Sequence, residues 1–82
     1  MFGVCFTGSR TWLAKPGSKY RQVGIGDAQP MSESEAVKLA TAQGTYFGDR
    51  PMAKACEIHR ANDGAFYVRD VGTSNWGHWI GY

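Results

Sequence analysis

The chain has 82 residues, 43% of them apolar and 13% aromatic, with a formal net charge of +2. That length is one domain with a modest core, burying roughly 60–65% of the surface the unfolded chain exposes, and the apolar content excludes a disordered polymer. No apolar run approaches the ~18 residues of a membrane-spanning helix.

The amino-terminal third reads as strands. In "FGVCF", Phe2, Val4 and Phe6 alternate with Gly3 and Cys5, the period of a strand. "GSR" and "KPGSK" are turn sequences, and Pro16-Gly17 fits the centre of a type II turn. "YRQVGIG" reads as a further strand, with Val23 and Ile25 on one side. Residues 1–26 hold Arg10, Lys15, Lys19 and Arg21 and no acid. These four form one expected positive face, either a lysine-guarded sheet edge or a patch for phosphate or an acidic protein surface. The start "MFGVCFTGSR" lacks a basic segment followed by an apolar stretch, so no secretory signal is read and a cytoplasmic location is expected. In that compartment Cys5 and Cys56 are expected as reduced, buried thiols.

One helix is well marked in "PMSESEAVKLATAQG". Ser32 is the N-cap and Glu35 stands three residues on, the pattern of a capping box. Glu33 and Glu35 place negative charge at the positive end of the helix dipole. Ala36, Val37, Leu39 and Ala40 form an apolar stripe, and Gly44 suits the left-handed residue that ends a helix. The expected span is Glu33 to Gln43, followed by an irregular loop, "TYFGDRP".

"KACEIHRANDGAFYVRDV" is a hairpin. Asn62, Asp63 and Gly64 form a three-residue loop with Gly64 left-handed. Ile58 then faces Val68, Glu57 faces Arg69 and His59 faces Tyr67. Cys56, Ile58, Phe66 and Val68 fall on one side, expected to meet the helix, while Glu57, His59, Tyr67 and Arg69 fall on the other. A two-residue loop would mix the two sides, and the buried side sets register. The simplest register through "GTSN" places Val68 opposite His78, Tyr67 opposite Trp79 and Phe66 opposite Ile80. Trp76 is then core, and Trp79 stands outside in a row with Tyr67 and His59. A one-residue slip would exchange the two tryptophans. The order of elements predicts an α+β domain: an antiparallel sheet of about five to six short strands with one helix across a face.

No constellation for catalysis emerges. "FTGSR" follows a strand but lacks the helix and parallel strands that a phosphate-binding loop requires. Cys5, Cys56, His59 and His78 are the residue types of a zinc site, but Cys56 and His59 are three apart on one strand and point to opposite faces. Glu33 and Glu35 are explained by capping, Asp63 by its turn and Glu57 by Arg69. Asp27, Asp49 and Asp70 share no spacing that would pair them. The expectation is a non-enzyme with no metal and no cofactor.

The succession of the capped helix "SESEAVKLATAQ", the hairpin "CEIHRANDGAFYVRD" and a terminal aromatic strand resembles small phage anti-CRISPR proteins, over residues 32–82 and in architecture only. The resemblance implies a protein that docks on a host protein or ribonucleoprotein complex and blocks nucleic-acid access or nuclease recruitment. Trp79, Tyr67, His59 and Arg69 are the partner-binding candidates from the hairpin and final strand. Arg10, Lys15, Lys19 and Arg21 are the candidates from the basic strands, where nucleic acid is the alternative partner. A small structural or assembly subunit is the third class considered. No membrane contact is expected.

Overall fold

A computed structural model describes residues 1–14, 22–46 and 48–79. In chain order it contains β1 (Phe2–Phe6), β2 (Thr11–Leu13), β3 (Gln22–Val23), a single 3-10 turn (Ile25–Asp27), α1 (Glu33–Ala42), β4 (Thr45–Tyr46), β5 (Arg50–Pro51), β6 (Ala53–Arg60), β7 (Phe66–Asp70) and β8 (Gly77–His78). Six strands form one sheet in the order β3-β2-β1-β6-β7-β8, and every neighbouring pair is antiparallel. One helix packs on that sheet, so the fold is α+β as expected.

Both faces of the sheet carry a core. On the helix side, Val4, Leu13, Ala53 and Ala55 pack under Ala36 and Ala40, with Phe2, Phe6, Met31, Leu39 and Val71 around them. Small alanines let the helix axis lie close to the strands, and Val4 and Ala36 are fully buried. Val37 is 42% exposed, so the buried stripe is narrower than the sequence pattern implied. On the opposite side, Cys5, Trp12, Cys56 and Ile58 are covered by Ile25 and Ala28, with Val23, Phe66, Val68 and Trp79 at the margin. The Cys56, Ile58, Phe66 and Val68 row therefore faces away from the helix, which corrects the expected orientation of the hairpin. The cover is the 24–30 segment. It is tied down by hydrogen bonds from Gln29 N to Leu13 O and from Met31 N to Phe2 O, both 3.0 Å. Trp12 lies across Gly3, where an added Cβ would stand 3.3 Å from the indole ring.

The hairpin has the expected register: Glu57 pairs with Arg69, Ile58 with Val68 and His59 with Tyr67. Its loop is Asn62–Gly64, with Gly64 at φ +89° and the Ala65 N–H held by Asp63 Oδ1 at 3.0 Å. The last strand departs by one residue. Tyr67 pairs with His78 and Val68 with Gly77, and Trp79 N donates to Phe66 O at 2.8 Å. The link between the two strands carries a left-handed Gly72 at φ +93° and a turn closed by Thr73 N and Oγ1 on Asp70 O. The slip serves the second core, because it turns Trp79 inward against Trp12, at 5.4 Å between ring centroids and 64° between planes. Ile80, the expected partner of Phe66, lies outside the described residues.

Two local expectations also change. "TYFGDRP" is not wholly irregular, since β4 and β5 pair as a small separate two-stranded sheet. The strand expected through "YRQVGIG" is shorter, because Ile25 turns into the 3-10 segment to cover Trp12. The Pro16-Gly17 turn lies outside the described residues.

Candidate partner-binding face

Helix α1 covers β1 and the first half of β6. Beyond Ala55 the same face of β6, β7 and β8 continues without it. Strand alternation places Glu57 and His59 on that face after Ala55, and Tyr67 and Arg69 before Val71. The β7–β8 register adds His78, with Trp76 two residues before it. Trp76 is 45% exposed, His59 and His78 are exposed, and Tyr67, Arg69 and Glu57 are half-buried.

These side chains contact one another. The Tyr67 and His78 rings lie 5.2 Å apart at 32°, and His59 meets Trp76 edge-on at 6.3 Å and 75°. The Arg69 guanidinium carbon lies over the Trp76 ring, 5.6 Å from its centroid, within reach of a cation–π interaction. Its Nε donates to Glu57 Oε1 at 3.1 Å, Nη2 donates to the same oxygen, and Nη1 donates to Thr73 O. The result is an aromatic surface whose one arginine among the described residues already has a carboxylate partner.

The sequence-selected residues divide. His59, Tyr67 and Arg69 are together on this face as expected. Trp79 is not; the one-residue slip puts it on the opposite side, half-buried against the Trp12 core, and Trp76 takes its place. Arg10 is also on the far side, with its guanidinium 5.8 Å from the Trp79 ring. Lys15, Lys19 and Arg21 lie outside the described residues. Sequence reasoning placed Trp76 in the core and did not select His78. The signal that could have found them was a second apolar layer in residues 25–28, which would have demanded an inward aromatic from the last strand.

The remaining chemistry-bearing residues have structural roles. The sheet separates the four zinc-type residues, with Cys5 and Cys56 in the far core and His59 and His78 on the near face, so they cannot converge on one ion. The Cys56 thiol donates to Asp70 Oδ1 at 3.5 Å, and Lys54 Nζ donates to Asp70 Oδ2 at 3.2 Å. Burial pushes the Cys5 thiol up to about 11 and the Cys56 thiol up to about 12, the latter aided by the Asp70 charge. Such thiols stay protonated at neutral pH and are poor nucleophiles. In "FTGSR", Thr7 Oγ1 donates to Pro51 O at 2.9 Å, and Ser9 Oγ donates to Gln22 Oε1 at 3.0 Å, so both hydroxyls are engaged within the chain. A groove of about 560 Å³ beside α1 is walled by Val37, Ala40, Ala53, Ala55 and Val71, and its titratable lining among the described residues is the paired Lys54 and Asp70. No helix of the described residues is long and apolar enough to cross a membrane.

Comparison with protein-family models, curated proteins and solved structures finds no match to this chain.

Proposed function

We propose that this chain is a non-enzymatic binding module that docks on a protein through the open face of β6, β7 and β8, with Trp76 as its anchor. The observation that carries this reading is the joining of exposed Trp76, His59 and His78 with half-buried Tyr67 and Arg69 into one surface at the end of the sheet. Tryptophan, tyrosine and arginine dominate the energetics of protein interfaces because they bury large area with few rotatable bonds and keep a polar handle. The charge state favours a protein over a phosphate backbone, since Arg69 is neutralised by Glu57 and phosphate attraction needs free cations. The partner class we assign is a host protein or ribonucleoprotein complex of a CRISPR-type defence, whose nucleic-acid binding or nuclease recruitment the docked chain blocks. That assignment rests on the resemblance in architecture.

A second reading keeps the same face and changes the partner. Four aromatic rings, three on adjacent strands and Trp76 on the link before β8, also suit stacking with the bases of a single-stranded nucleic acid. The two readings separate in one experiment. Purified chain is used as bait for a defence effector complex and titrated with random single-stranded oligonucleotides over a range of salt. Docking on protein predicts capture of the complex and inhibition of its interference activity, both lost in Trp76→Ala, with little oligonucleotide binding. Oligonucleotide binding that falls steeply with salt, without capture of the complex, would replace the first reading with the second.

A further inference from the structure

We propose that Arg69, anchored by Glu57, is a positioning residue that fixes Trp76 in its binding pose before any partner arrives. The inference deepens the binding reading above and rests on it for its functional meaning, though not for its test. Trp76 stands on the irregular link between β7 and β8, just ahead of the two-residue strand β8. A large side chain on such a link, 45% exposed, would ordinarily sample several rotamers and lose that freedom on binding.

Arg69 holds it from three directions. Its Nε and Nη2 donate to Glu57 Oε1, and Glu57 belongs to β6, paired on its other side with Phe2 of β1. The carboxylate is thus mounted in the middle of the sheet. Nη1 donates to Thr73 O, inside the link itself, and Thr73 is fixed in turn by its N–H and Oγ1 on Asp70 O. The guanidinium carbon lies over the Trp76 ring, 5.6 Å from its centroid, while His59 meets the same ring edge-on. One side chain therefore connects sheet, link and indole. Only arginine can do this, because its donors lie in a rigid plane whose faces remain open for stacking, whereas lysine offers a single rotating ammonium.

The test needs no partner. The side-chain order parameter of each indole N–H is measured by nitrogen-15 relaxation, with the Trp76 signal assigned by its disappearance in Trp76→Phe. In the wild type the Trp76 indole should be rigid, with an order parameter near about 0.85. In Arg69→Met, which keeps an apolar stem and removes the fork, it should fall below about 0.6 while Trp12 and Trp79 hold their values. Arg69→Lys should not restore it. Glu57→Ala should loosen it as well, and decides the matter if Arg69→Met fails to fold. A Trp76 indole that stays rigid in folded Arg69→Met or Glu57→Ala overturns the proposal, even if melting temperature falls. Because no ligand is present, loss of partner binding cannot mimic this result, and a wrong partner assignment leaves it standing.

Discussion

At the scale of single residues, the two tryptophans that flank β8 have opposite duties. Trp76 leans on Arg69 and His59 at the surface, while Trp79 closes the far core against Trp12. Trp79→Ala should cost about 3 kcal/mol by removing packed ring surface and leaving a partial cavity. Trp79→Phe should cost less, since it keeps a ring and deletes an indole N–H that is buried without an acceptor among the described residues. Trp76→Ala should leave the melting temperature nearly unchanged and weaken partner binding by about 2 kcal/mol or more. Thermal melts and partner titrations of the three variants check this, and a stable Trp79→Ala beside an unfolded Trp76→Ala would reverse the assignment. The thiols supply a second residue-level prediction. Cys5 and Cys56 have an ordinary value of 9.0 and are raised to about 11 and about 12, chiefly by burial. Lys54 is raised too: burial opposes the shift, and the hydrogen bond and charge of Asp70 outweigh it. Each group holds its proton in the folded state at pH values where the unfolded chain releases it. Stability is therefore fully present below about pH 9 and declines as pH rises towards about 12. Denaturant titrations across that window should show the decline, and Cys56→Ala should flatten it; an equal slope in the variant would remove the thiol as its cause.

At the scale of elements, legibility followed how local the determinants were. Helix α1 was readable because its start is chemical and nearby: Ser32 Oγ accepts the Glu35 N–H at 3.2 Å, with acids in the first turn. Ser32→Ala should cost about 1 kcal/mol. Urea melts with helical circular dichroism test this, and an unchanged midpoint with full helicity would mean the cap contributes nothing. The β6–β7 register was readable for a similar reason. A three-residue loop with Gly64 fixes it, and the alternative would set Ile58 against Arg69. The β7–β8 register was not readable because its decisive partner is remote in sequence. Trp79 is drawn inward by Trp12 and by the cover of Ile25 and Ala28, and nothing within the last strand encodes that layer. The orientation of the hairpin was lost for the same reason. With one helix in view the apolar row was assigned to it, whereas the helix in fact takes the small alanines Ala53 and Ala55 and the 3-10 segment takes Cys56 and Ile58. Of the candidate residues, His59, Tyr67 and Arg69 share the face expected of them because that placement depended only on the hairpin.

At the scale of the whole molecule, the sheet is a partition. Its near face carries Trp76, His59, Tyr67, Arg69 and His78 beyond the helix, and its far face carries Arg10 over Trp79. The partner-binding candidates among the described residues therefore sit on two sides, and a compact partner docked on one side does not reach the other. This turns the choice of partner into a question about faces. Arg10 occupies a left-handed backbone position at φ +56°, which glycine adopts without strain. Arg10→Gly thus removes one far-face charge, leaving Arg60 over Phe66, while keeping the turn between β1 and β2. Docking through the near face predicts that Arg10→Gly retains partner affinity within about twofold, whereas Trp76→Ala loses roughly thirtyfold, the equivalent of about 2 kcal/mol. Affinity for the near-face partner should also depend little on salt, because Arg69, the one arginine of that surface among the described residues, is already paired with Glu57. Contact through the basic strands predicts the reverse pattern, with affinity lost in Arg10→Gly, kept in Trp76→Ala and falling steeply as salt rises. Calorimetric titration of both variants at two salt concentrations distinguishes the faces, and the reverse pattern would move the binding site to the far side of the sheet.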